Sequence, residues 1–218
     1  MNVAILLYEG LTALDAVGPY EVLTLLPDSK VQFVAKRAGA VRTDNGALAL
    51  VADHGFADVA GADVVVVPGS SNSTRAAMED RATLEWVRAI HETTRWTTSV
   101  CSGALILAAA GLLTGLKATT HWVALEHLRA FGAEPVRERV VRQGKIVTAA
   151  GVSAGIDMAL YLAGEIAGAE AAQTIQLIME YDPQPPFDAG STAKAPPAVV
   201  EAARREMARL IARGARAS

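Results

Sequence analysis

The chain has 218 residues, of which 51% are hydrophobic and 20% charged, with a formal net charge of −3. That balance suits one globular α/β domain over 1–218 and gives no electrostatic case for nucleic acid. A lone cysteine, Cys101, excludes an internal disulfide and fits a reducing, cytoplasmic compartment, and no uninterrupted apolar run is long enough for a membrane span.

In chain order, residues 3–8 form a continuous apolar run, as a strand buried on both faces requires. They follow no basic leader and no cleavage site, so the N-terminus reads as a first strand. A helix is predicted over 12–26, with Pro19 marking a start or kink. A second strand follows at 31–36. The Asp44-Asn45-Gly46 turn precedes a short strand at 48–51. Four consecutive valines, Val64 to Val67, stopped by Pro68-Gly69, give the clearest strand. Residues 83–93 carry a helical apolar face.

A strand over 96–100 then leads through Cys101-Ser102-Gly103 into an Ala- and Leu-rich helix. Residues 117–120 predict a short strand and 121–131 a helix. Gln143-Gly144 turns a hairpin between 139–142 and 145–148. Helices are predicted over 153–167, 170–181 and 198–213, the last with Glu201 and Arg205 spaced for an i,i+4 pair. Between them, 182–197 is rich in Pro, Gly and Ala. Strands and helices alternate, which predicts an open, mostly parallel α/β sheet with its site at the carboxyl ends of the strands.

Cys101 stands at a strand-to-helix turn. The helix dipole and free N–H groups there favour the thiolate, the nucleophilic form. The competing reading is a buried structural cysteine. A working thiol needs a proton partner and donors for developing charge. The backbone N–H groups of Ser102 and of Ser70, beside the permissive Gly69, are the candidate donors; the alternative is an ordinary polar loop over 68–73. Asp15, a lone carboxylate in an apolar helix start, is the candidate acid/base, or else a helix N-cap. Glu21 is a weaker candidate. His121 either pairs with the thiol or caps and packs locally. The helix opening at Ser153 is a further terminus that can face the site, or a plain cap. His54, His91 and His127 read as surface residues. No His/Cys/Asp/Glu grouping has metal-ligand spacing, and no Gly-rich nucleotide loop is present, so no metal or cofactor is expected.

The motif from Ser99 to Ala104, with Ala118-Thr119-Thr120-His121-Trp122, resembles the ThiJ/PfpI superfamily of class I glutamine-amidotransferase-like proteins. Residues 14–23, beginning Leu14-Asp15-Ala16-Val17-Gly18-Pro19, look like its N-terminal motif. Within it the chain is most similar to the isonitrile hydratases, through residues 138–142, 154–157 and 180–187. The resemblance implies a flavodoxin-like three-layer sandwich, a nucleophile elbow at Cys101, Asp15 as acid/base, a small-molecule substrate and a homodimer. It implies hydration of isonitriles to N-substituted formamides. Ser102 stands where those hydratases carry Thr, and Ser70 where they carry a second Gly. The peptidase-like branch carries His where Ser102 stands, which argues against peptidase activity.

Two other readings remain: a ligand-binding or redox-sensing module, and glyoxalase-like activity. Similar domains precede helix-turn-helix segments in AraC-type regulators. This chain ends at Ser218, and the arginines at 204, 205, 209, 213 and 216 read as a solvated helix face.

Overall fold

A computed structural model describes residues 1–214; residues 215–218, Arg216 among them, and the side chain of Arg213 lie outside the described residues. Seven strands form the central sheet. Its core comprises β1 (Asn2–Leu6), β2 (Lys30–Ala35), β6 (Val64–Val67) and β7 (Trp96–Val100). The two-residue β5 (His54–Gly55) closes one edge, and β10 (Val140–Gln143) with β11 (Ile146–Ala149) closes the other. The order is β10-β11-β7-β6-β1-β2-β5. All pairs are parallel except the β10–β11 hairpin.

Helices cover both faces. On one lie α1 (Ala13–Leu23), α5 (Ala154–Ala167) and α6 (Ala169–Ile178), packed with Ile5, Val64, Val66 and Val147. On the other lie α2 (Thr74–Glu79), α3 (Arg81–Thr93) and α4 (Gly103–Ala109), packed with Ala4, Leu6, Val65 and Val67. Alternate residues of each strand thus feed two separate cores, which is why these strands are apolar throughout rather than alternating. This is the open, mostly parallel α/β sheet that the sequence pattern predicts, in the flavodoxin-like three-layer form that the resemblance implies.

Several elements differ from expectation. Pro19 lies inside α1 rather than at a break. A methyl on Gly155 of α5 would sit 3.2 Å from Pro19 Cγ, so the ring is seated in the α1–α5 interface. Packing there offsets the hydrogen bond that proline removes. The turn at Asp44 joins β3 (Gly39–Arg42) to β4 (Ala49–Ala52), an antiparallel pair outside the main sheet. The strand expected at 117–120 shrinks to β8 (Lys117–Ala118), paired with β9 (Glu134–Pro135). The helix over Trp122–Phe131 is 3-10 rather than α, ended by Gly132 at φ 76°. The final helix, α7, runs Pro197–Gly214. Its Glu201–Arg205 pair forms at 3.5 Å between exposed side chains and contributes little.

Ile106 on α4 has no solvent exposure and belongs to the second core. Ile106→Ala should cost about 2–5 kcal/mol, mostly through the cavity left behind. Urea unfolding should show a lower midpoint with an unchanged slope.

Candidate functional site

The site forms where β6 and β7, adjacent and parallel, release their chains toward the same end of the sheet. After β7 the chain turns sharply into α4. Cys101 takes φ +56°, a left-handed conformation that a cysteine occupies only when its surroundings impose it. The surroundings are visible: the Cys101 N–H donates to the Ala149 and Ala150 carbonyls at 3.1 and 3.0 Å, and its own carbonyl accepts from the Thr120 hydroxyl at 2.7 Å. The thiol is thereby fixed at the head of α4, with 5% of the residue exposed.

The loop after β6 crosses this elbow in direct backbone contact. A Cβ on Gly69 would lie 2.5 Å from the Ser102 nitrogen, and one on Gly103 would lie 2.1 Å from the Val67 carbonyl oxygen. Only glycine fits at either position. The Ser102 hydroxyl then ties the two loops. It accepts from the Ser70 N–H at 3.0 Å and lies 2.6 Å from the Thr74 hydroxyl, which reaches the Ser70 carbonyl at 3.1 Å. Ser70 Oγ donates to the Gly10 carbonyl and accepts from the Asn72 and Ser73 N–H groups. The segment at 68–73 is therefore a knitted part of the site rather than an ordinary polar loop.

Asp15 enters from α1, one strand over. It has no solvent exposure, and its Oδ2 accepts from the Gly69 N–H at 2.9 Å. It is not the helix cap: Thr12 holds that position. Asp15 Oδ1 is buried without a hydrogen bond of ordinary geometry, while the neighbouring Cys101 thiol favours the ionised carboxyl. Burial dominates nevertheless and raises the Asp15 pKa from 3.8 to about 7.

The thiol differs from expectation in the same way. Burial and then the charge of Asp15 push its pKa well above the ordinary value, against the opposing pull of the Val152 and Ser102 N–H groups. The helix terminus is present, but a short helix in an apolar enclosure does not outweigh desolvation beside a carboxylate. The resting pair is thus a protonated thiol beside a carboxyl that ionises near neutrality.

Other candidates separate. The Ser70 N–H is occupied by Ser102 Oγ, so it is not a free donor in this structure. The Ser102 N–H does bear on the sulfur. His121 caps the 3-10 helix, its Nδ1 accepting from the Val123 N–H at 3.4 Å, and burial lowers its pKa. Its ring lies against Gly151, where a Cβ would meet Cδ2 at 2.5 Å. Glu21 is exposed on α1. His54 and His91 are half-buried rather than on the surface, bonded to Gln32 and Thr97, because both sit where helix or strand ends meet the sheet. Ser153 holds the N-cap position of α5 without a side-chain cap bond; its hydroxyl accepts from Arg139 instead. Among the described residues, no group of three or more His, Cys, Asp or Glu can hold a metal, and no helix is long and apolar enough to cross a membrane.

Three neighbours escaped the sequence reading. Tyr8, just past β1, donates to the Pro68 carbonyl at 3.1 Å and is held strongly protonated by burial and by Asp15. Asp44 accepts from the Thr12 and Ser71 hydroxyls at 2.7 and 2.9 Å. Val152, at φ +35°, contributes a backbone N–H that pulls the Cys101 pKa down. Cys101 and Ser102 open onto a cavity of about 790 Å³.

Residues 1–165 match the DJ-1/PfpI family. The chain belongs to that family. It is 45% identical over 208 residues to an isonitrile hydratase of Pseudomonas putida, covering 95% of this chain and 90% of that one. A THiJ/PfpI family protein from Pseudomonas syringae superposes with a TM-score of 0.92 at 40% identity, over 98% of this chain and 88% of that chain. Drosophila melanogaster DJ-1beta superposes with a TM-score of 0.74 at 22% identity, over 82% of this chain and 97% of that chain, a likeness of fold alone.

Two outcomes follow from the packing and the charge. Gly103→Ala would drive a methyl into the Val67 carbonyl, so it should cost several kcal/mol or abolish soluble expression, as an unfolding titration will register. Asp15 has a folded pKa raised to about 7, so its contribution to stability is present below the unfolded value and lost as pH rises through 7. Asp15→Asn removes that loss. Its stability advantage over wild type should be near zero at about pH 4 and approach roughly 4 kcal/mol by about pH 8. A pH-independent difference would contradict the buried-carboxyl assignment.

Proposed function

We propose that this protein hydrates isonitriles to N-substituted formamides, with Cys101 as nucleophile and Asp15 as acid/base. The observation that carries the reading is Cys101 on a strand-to-helix elbow with the buried Asp15 of α1 beside it, in a chain 45% identical to an isonitrile hydratase across nearly its whole length.

The chemistry fits the charge state of the pair. Asp15, ionised near neutrality, takes the thiol proton as sulfur attacks the terminal isonitrile carbon. The proton passes to that carbon, giving an N-substituted thioimidate, R–N=CH–S–Cys101. Water then adds to the thioimidate carbon with Asp15 accepting its proton. Collapse expels the sulfur, and the protons of water end on nitrogen and on the thiol. The products are R–NH–CHO and the starting enzyme, so substrate and water balance the reaction. The N–H groups of Ser102 and Val152 stabilise the sulfur while it carries charge. With the Ser70 N–H occupied, the role of Ser70, Gly69 and the Ser102 hydroxyl is to hold the elbow and to orient Asp15 through the Gly69 N–H. His121 contributes a wall of the cavity.

The same reading takes the whole chain as one functional unit, cytoplasmic and homodimeric, acting on a small molecule. Redox sensing is the poorer fit: sensor thiols are exposed and of low pKa, and Cys101 is neither.

Purified protein incubated with alkyl and aryl isonitriles should yield the matching formamides, and with glyoxals no product. No turnover across such a panel would sink the assignment. Cys101→Ala should lose at least about 10³-fold in kcat/KM, and Asp15→Asn at least about 10²-fold. Because attack needs the Asp15 carboxylate, kcat/KM should rise about tenfold per pH unit below roughly 7 and level off above it.

A further inference from the structure

The cavity in front of Cys101 has two unlike ends. Near the sulfur its wall is polar, with Ser70, Ser102, Thr74 and Asp44. Away from it the 3-10 helix supplies an apolar stretch through Val123, Ala124 and Phe131, with His127 beside them. α2 and α4 also line it, with Arg75, Met78, Glu79 and Leu105, and α7 contributes Met207 and Ile211. These two are spaced i,i+4 and so lie on one face of the helix.

α7 is an unusual contributor. It lies beyond residues 1–165, the part that matches the family, and arrives after the irregular stretch 182–197. Its half-buried positions, Val200, Ala203, Met207 and Leu210, follow helical spacing, so one stripe of the helix rests on the body. Arg204 places its guanidinium 5.0 Å from the centre of the Trp122 ring, at the start of the facing 3-10 helix. The helix is thus laid across the cavity and pinned to the wall opposite.

Reaction at Cys101 uses only the isonitrile carbon and nitrogen, a few atoms at the polar end. A volume of about 790 Å³ is the size of a cavity for a drug-sized molecule. The apolar end therefore has to receive the nitrogen substituent. We propose that Met207 and Ile211 are specificity-determining residues, and that the substrate is an isonitrile with a bulky apolar group, aryl or polycyclic, which they cover. This rests on the hydratase reading for the reactive group, but the recognition of an apolar group by α7 is independent of it.

The test uses the full chain and Met207→Ala/Ile211→Ala together, with Met207→Trp as a second variant. Turnover of methyl, tert-butyl, cyclohexyl and 2-naphthyl isonitrile is measured, beside calorimetric binding of the unreactive N-(2-naphthyl)formamide. In the wild type, kcat/KM should rise at least about tenfold from methyl to 2-naphthyl. The double variant should lower the naphthyl-to-methyl ratio about tenfold and weaken naphthylformamide binding at least about fivefold. Met207→Trp should lower that ratio by filling the space. A flat wild-type profile, or an equal loss on every substrate, overturns the role of α7 while leaving the hydratase reading intact. If no isonitrile turns over, the hydratase reading fails and the binding titration decides: equal affinity of wild type and double variant overturns the proposal, and weaker binding by the variant supports an apolar ligand of another reactive class.

Discussion

The site depends on one close approach: the backbone leaving β6 touches the backbone leaving β7. Gly69 against Ser102, and Gly103 against Val67, leave no room for a single methyl. That contact turns two neighbouring strand ends into one rigid corner. It sets the φ of Cys101 against sheet hydrogen bonds that do not yield, and it brings the Gly69 N–H to Asp15. The Ser102 and Thr74 hydroxyls, bonded to each other and to the Ser70 backbone, lock the same corner. A looser crossing would leave the same residues in the sequence and separate their functional atoms.

The electrostatics follow from burial more than from any single partner. A carboxyl and a thiol share an apolar enclosure: burial makes each costly to ionise, and the charge of Asp15 further opposes ionisation of the thiol, whereas the protonated thiol favours the carboxylate. One negative charge is tolerable there and two are not. The consequence is a pair that holds a proton until an electrophile arrives to take the sulfur's electrons. Tyr8 and Asp44 tune this enclosure, Tyr8 as a neutral donor to the loop and Asp44 as a charge nearer solvent.

Much of this was legible in the residues. Valine runs between helical patterns fixed the parallel sheet, because strands covered on both faces must be apolar on both. Cys101 announced itself by position, and Asp15 by its isolation among apolar neighbours. What stayed hidden involves contact between distant segments. Val152 gives a backbone N–H, which no side-chain identity advertises. Asp44 reads as a turn residue and is one, yet the turn folds back onto α1. Pro19 reads as a breaker, but its ring is seated against α5. The helicity of 121–131 was visible, whereas its 3-10 winding was not, since both forms bury similar spacings.

The order of strands has a meaning beyond the site. Four valines in a row, with no charge and no proline among them, are the kind of segment that templates fibrils when it is left on an edge. Here that segment is the middle strand, with three strands on either side. The borders are poor templates: β5 has only two residues, and β10 is followed by a turn and presents Arg142, which is ion-paired to Glu165. The stickiest stretch of the chain can meet another molecule only after the sheet has come apart around it, so resistance to aggregation is set by the strand that lies furthest from either border.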